Sequence, residues 1–387
     1  MAFRRGGIMG RGKSLENPIY LALSSLIFSS SWMILSFTFP IIGNSYGVGY
    51  LFTGILGALV SLPFLIVGFF YRNYNKKLIN FGMKAPFLVL SILCFILVIN
   101  QSFYFLLPVV VVGGSIQSFF WISTEIEINL LEIKGHAELY SAAWGIPAGI
   151  LPAVIGSILH LVGYPPIFVF TGLLFLLGFI LQPVDKKDRI AVKKKRPDLM
   201  MVLPMLFVGI LAGFTFFVLI PLLINRGVEL YLIGIIVSIW GISFAGGSLL
   251  LNFLTIKNIE RIGLITSLFV SLPVVWILSF NIFTIIAVLS IGGIGVSVGF
   301  SKILSYLSDT SSPGTGVFFY ESLFGIGFIT GSLAGSVLYS YLAMTGIFIL
   351  FAAPLLYLTL ILSKNHFNAR ERSRSRKENK NSCHGQV

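Results

Sequence analysis

The chain has 387 residues, 56% of them hydrophobic and only 11% charged, whereas an average soluble domain carries roughly 25% charged residues. So few polar groups cannot clothe a globule of this size in water, which excludes a soluble globular domain and places much of the surface against lipid. The formal charge of +13 would suit a nucleic-acid partner. However, the cations lie almost entirely between the apolar runs, where they act as topology determinants, so no nucleic acid is expected.

In chain order, residues 1–17 form a basic arm that is expected to be cytoplasmic. Gly7 to Ser14 fits the phosphate-loop pattern GxxxxGK[ST], but that loop needs a strand before it and a helix after it in a parallel sheet. Here an apolar run follows instead. That run is longer than a signal-peptide core and no small-residue cleavage site accompanies it, so it is expected to be a retained span.

Six runs follow one another, Pro18–Ile42, Val48–Phe70, Leu78–Ile99, Phe103–Ile126, Leu139–Val162 and Pro166–Val184. A basic linker, Asp185–Asp198, separates them from six more, Leu199–Asn225, Leu230–Ile256, Ile262–Phe280, Phe283–Leu307, Thr315–Leu342 and Gly346–Ser363. Each is close to the roughly 20 residues a helix needs to cross a bilayer. None shows the alternation of a barrel strand. The tail, Lys364–Val387, is charged and is expected to be disordered.

Lysine and arginine set the expected orientation. The joints near Asn44, Gln101, Gly163, Asn281 and Thr345 hold neither residue, and the joint after the seventh run holds only Arg226. The remaining cations fall on the other side, with both termini, which predicts twelve spans and cytoplasmic ends in the cell membrane. The basic linker and the tail segment ERSRSRKENK are expected to lie against anionic headgroups.

A shift of about 180 residues brings similar features into register, as parallel repeats require. Gly54 meets Gly234, Phe64 meets Phe244, Lys77 meets Lys257, Gly113 meets Gly293, Phe120 meets Phe300, Tyr140 meets Tyr320 and Gly145 meets Gly325. Pro40 meets Pro221 one residue out of step.

In its twelve runs, its basic central linker and its glycine-rich fifth and eleventh helices (SAAWGIPAGILPAVIGSIL and GTGVFFYESLFGIGFITGSLAGSVL), the chain resembles the major facilitator superfamily over nearly its whole length. The resemblance implies an all-α membrane protein of twelve transmembrane helices in two pseudo-symmetric six-helix bundles, residues 18–184 and 199–363. It also implies alternating access around a site near the bilayer midplane. The family's second-loop motif is matched in part. In GFFYRNYNKK, Gly68, Lys76 and Lys77 fit, while Arg72 holds the Asp position and Asn75 the second Gly.

Ionisable groups at membrane depth are the strongest functional pointers, because burying them costs several kcal/mol unless they are paired. The fourth run carries Glu125 and Glu127 near its inner end, the tenth Lys302 and the eleventh Glu321. With Arg72 in place of the family's Asp, a charge-reversed latch between Arg72 and Glu125 or Glu127 is expected at the inner face. Glu321 has two open readings, as a proton-coupling carboxylate or as a structural partner of Lys302 or Arg72. For the substrate path the resemblance indicates mid-depth aromatic and polar residues, namely Trp32, Gln117, Trp121, Trp144, Trp240 and Tyr320, whose rings can stack on a solute or a cation.

The histidines are scattered and the two cysteines, Cys94 and Cys383, lie in unrelated surroundings. No HExxH or paired-His motif occurs. No metal, cofactor or covalent chemistry is therefore expected. The reading is a monomeric secondary active transporter of a small organic solute, with protons as the candidate coupling ion. The runner-up is a non-transporting membrane receptor or scaffold of the same fold. The scarcity of deep Lys and Arg favours a neutral, hydrophobic or cationic solute.

Overall fold

In hydrocarbon each backbone amide and carbonyl must be satisfied within its own segment, and for a lone apolar run the helix does this. The computed structural model describes residues 18–47, 49–71, 75–131, 135–182, 197–251, 253, 259–273 and 281–360. Among these, twelve helices follow one another. They are α1 (Pro18–Ser45), α2 (Gly49–Tyr71), α3 (Lys76–Ile99), α4 (Phe103–Asn129), α5 (His136–Val162) and α6 (Tyr164–Leu181). Then come α7 (Leu199–Asn225), α8 (Leu230–Leu250), α9 (Ile259–Val270), α10 (Ile282–Thr310), α11 (Pro313–Leu342) and α12 (Met344–Leu360). All but α9 and α12 are long and apolar enough to cross a membrane, and the chain is a multi-pass membrane protein. The expected amino-terminal arm, most of the basic linker, the tail and Arg72 lie outside the described residues, as do residues 274–280 of the ninth expected span.

Local chemistry sets the ends. Asn75 starts α3 by accepting from the backbone N–H groups of Lys77 and Leu78 at 3.0 and 3.3 Å. Asn281 does the same for α10 through Thr284 at 2.8 Å. Each cap satisfies amides that the first helical turn leaves orphaned. Gly163 holds φ +70° between α5 and α6, a conformation that costs little only without a Cβ. The helix α7 is not uniform: a π turn covers Thr215–Leu219, directly ahead of Pro221. Proline lacks an N–H and crowds the carbonyl four residues back, and a wider turn relieves both effects.

The sequence repeat reappears as crosswise packing. Among the first six helices α1 packs on α5, and α3 and α2 pack on α4; among the later ones α7 packs on α11, and α9 and α8 pack on α10. The two sets meet where α5 runs along α8 and α2 runs along α11. The approach is close at corresponding positions. A Cβ at Gly145 would lie 2.6 Å from Phe244, and one at Gly325 would lie 3.1 Å from Phe64. A Cβ at Gly234 would lie 2.2 Å from the Pro152 carbonyl, and one at Gly54 would lie 2.5 Å from Ser336 Oγ. Small residues let helix backbones approach in a medium that offers no hydrophobic gain for association. Across the seam, Ser238 on α8 also accepts from the amide of Ala153 on α5 at 2.9 Å.

Candidate functional site

The crosswise seam encloses a cavity of about 580 Å³ of atom-free space, counting its open end. Helical spacing explains who lines it. On α4, Gln117, Trp121 and Glu125 stand four residues apart, and on α5 so do Tyr140 and Trp144; on α11, Glu321, Phe324 and Phe328 follow at three and four. Each set therefore occupies one face of its helix. Trp32, Met33 and Ser36 of α1, Val60, Ser61 and Phe64 of α2, Ala212 and Phe216 of α7 and Phe300 of α10 complete the wall. Phe216 belongs to the π turn of α7.

Most of that wall is aromatic. Trp144 stacks on Phe300 with centroids 5.5 Å apart and planes 12° from parallel, and it meets Trp121 edge-on at 6.4 Å. Phe300 continues to Phe324 at 5.9 Å, and Phe324 to Phe64 at 6.3 Å. Two hydrogen bonds brace the frame from behind. Ser29 donates to the Trp144 carbonyl at 2.9 Å, and Gln117 donates to the Val60 carbonyl at 3.2 Å.

Against these rings sit two carboxyl groups, Glu125 at 1% and Glu321 at 2% exposure. They interact with one another. Tyr140 donates to Oε1 of Glu125 at 3.2 Å. Oε2 of Glu125 and Oε2 of Glu321 receive no hydrogen bond among the described residues. Among the described residues the lining contains no Lys, Arg or His. Glu125 and Glu321 were singled out in the sequence for different roles, and only the fold brings them together.

Of the remaining expected site residues, Trp32, Gln117, Trp121 and Trp144 line the cavity. Trp240 stands one layer behind, edge-on to Trp144 at 6.1 Å. Tyr320 packs on Phe300 at 5.4 Å and donates to its carbonyl at 3.1 Å. Glu127 is buried on α4 outside the lining. Lys302 pairs with Glu138 of α5 at 2.6 Å and donates to the Leu251 carbonyl, just past α8, at 3.0 Å. That tie joins the two sets of helices at one end, and Asn44 donating to Asn225 at 3.1 Å joins α1 to α7 at the other. The lining phenylalanines were not anticipated, because in an apolar run a cavity-facing Phe reads like a lipid-facing one.

Lys302 and Glu138 have side chains only 13% and 7% exposed. Removing one partner of such a buried pair strands the other charge. We expect Lys302→Met to lower stability by about 3 kcal/mol in detergent melts, and Lys302→Met with Glu138→Met to recover most of that loss.

No family model matches the sequence, and no curated protein sequence matches it. Among solved structures the fold is shared with the human organic anion transporter MFSD10 (TETRAN). The identity is 14%, the match covers 89% of this chain and 99% of that one, and the TM-score is 0.67.

Proposed function

Because the chain has the major facilitator fold, we propose that it is a secondary active transporter that carries a small organic solute by alternating access, with protons as the driving ion. Two six-helix bundles, residues 18–184 and 199–363, rock about the crosswise seam and expose the cavity to one side at a time. Both termini lie in the cytoplasm, and the linker and tail rest on anionic headgroups of the cell membrane. The observation that carries this reading is the cavity itself. It lies on the seam between the repeats, and it holds two buried carboxyl groups. The neighbour of similar fold is an organic anion transporter, but an anionic cargo does not carry over, because the lining here is acidic and, among the described residues, without a cation.

The test is uptake of a solute panel into proteoliposomes with an imposed pH gradient, inside alkaline against inside acidic. Gradient-dependent accumulation of at least one solute is the expected result. Failure of every solute, with no thermal shift from any of them, would leave the receptor or scaffold reading. Rocking has its own test at the Asn44–Asn225 contact. A reducible thiol cross-link between Asn44→Cys and Asn225→Cys, in a Cys383→Ser background, should stop transport, and reduction should restore it. Undiminished transport in the cross-linked protein would rule out separation of α1 from α7 at that end. Fusion tags at the first and last residues should report from the same side of the membrane.

A further inference from the structure

The chemistry of the cavity narrows its cargo. Among the described residues its walls carry two acidic side chains and no basic one, and one oxygen of each acid accepts no hydrogen bond although both residues are at least 98% buried. Lys302 is tied to Glu138. A small metal cation would need six or so oxygen ligands. The wall offers few, since most lining residues other than the two acids are hydrocarbon or aromatic. Aromatic faces attract cations whose hydration is weak and whose removal from water is therefore cheap. Trp32, Trp121, Trp144 and Phe300 supply such faces beside the carboxyl pair.

Resting on the transporter reading above, we infer that the cavity takes a weakly hydrated organic cation, of the arylpyridinium or arylammonium kind, and exchanges it one for one with a proton held by Glu125 and Glu321. Two full negative charges side by side among apolar walls are not tolerated, so the pair holds a compensating positive charge in every state. Arrival of the cation lets one proton leave to the aqueous side then open, and its departure lets one return. Among the described residues no other carboxyl group or base intervenes from the lining. Tyr140 of α5 donates to Glu125, and Tyr320 of α11 lies behind with its hydroxyl on a carbonyl. Neither α1, α2 nor α7 contributes a titratable lining group.

Binding of tritiated 1-methyl-4-phenylpyridinium to the purified full chain in detergent, followed by scintillation proximity, tests this. Biphenyl-4-methanol and biphenyl-4-carboxylate serve as neutral and anionic competitors of similar shape. The cation should bind, and neither competitor should displace it at equal concentration. Its apparent Kd should rise on acidification towards the limit of ~10-fold per pH unit that release of one proton allows. Glu125→Gln with Glu321→Gln should weaken it by more than ~10-fold, a loss of over ~1.4 kcal/mol, with an unchanged melting midpoint. Failure of the cation to bind, equal binding of the neutral compound, or a pH-independent Kd each overturns the inference, and none of the three needs a variant. If the cation binds as described but is not exchanged across proteoliposomes, the binding inference stands and the transporter reading fails.

Discussion

Glu321→Gln is expected to remove gradient-driven accumulation altogether, bringing the final solute ratio down to that of passive equilibration. Counterflow exchange of the same solute should continue at about a third of the wild-type rate or better. The two outcomes separate because they need different things from the side chain. Exchange asks only that the cavity open alternately, and an amide fills the same volume as a carboxyl group among Phe300, Phe324 and Tyr140. Accumulation asks that a proton be taken up on one side and given up on the other, and an amide cannot do that. Glu125 remains in the variant, but its Oε1 is engaged by Tyr140, and it no longer has a second ionisable carboxyl beside it. The single carboxyl group left among apolar walls costs several kcal/mol when charged, so it is expected to keep its proton with the solute bound as well as without it, and it then transmits no gradient. Glu321→Gln protein that concentrates solute with an undiminished response to the pH gradient would dismiss Glu321 as the coupling group.

Gly241→Val should be among the most damaging single substitutions in the membrane region. A Cβ at Gly241 on α8 would sit 2.2 Å from the Ala148 carbonyl carbon and 2.3 Å from the Gly149 amide of α5. Both atoms belong to backbone, so no rotamer change relieves the clash and one helix must move. Over-packing costs roughly 1–3 kcal/mol where side chains can yield. Here we expect more than ~3 kcal/mol, seen as a large loss of folded yield and of melting midpoint in detergent. Gly327→Val, whose Cβ would meet the Leu206 carbonyl oxygen at 1.9 Å, should behave alike through the α7–α11 contact. Gly246→Ala is the internal control. It lies in the same helix as Gly241, with nothing within 4 Å of its Cβ position, and should fall within about 0.5 kcal/mol of wild type. Equal tolerance at all three positions would mean that these helices do not approach so closely.

The helices and their order follow from the sequence alone. A run of apolar side chains about as long as a bilayer is thick has only the helix open to it, whatever its neighbours do, and the described helices start and stop within a few residues of the expected runs. The exceptions are local: α8 ends at Leu250 rather than Ile256, α9 ends at Val270 rather than Phe280, and π turns interrupt α7 ahead of Pro221 and α11 at Thr330–Ala334. The chemistry was also legible in part, because a Glu or a Trp in such a run is conspicuous by type. Which of them meet was not legible. In water an amphipathic helix displays its buried face in its hydrophobic periodicity. In lipid both faces are apolar, and the rotation of each helix is set by the small residues and ring shapes it packs against. The tertiary structure alone therefore turned Glu125 of α4 towards Glu321 of α11, gave Lys302 to Glu138, set Trp240 and Tyr320 behind the cavity wall, and brought Phe64, Phe300 and Phe324 into it.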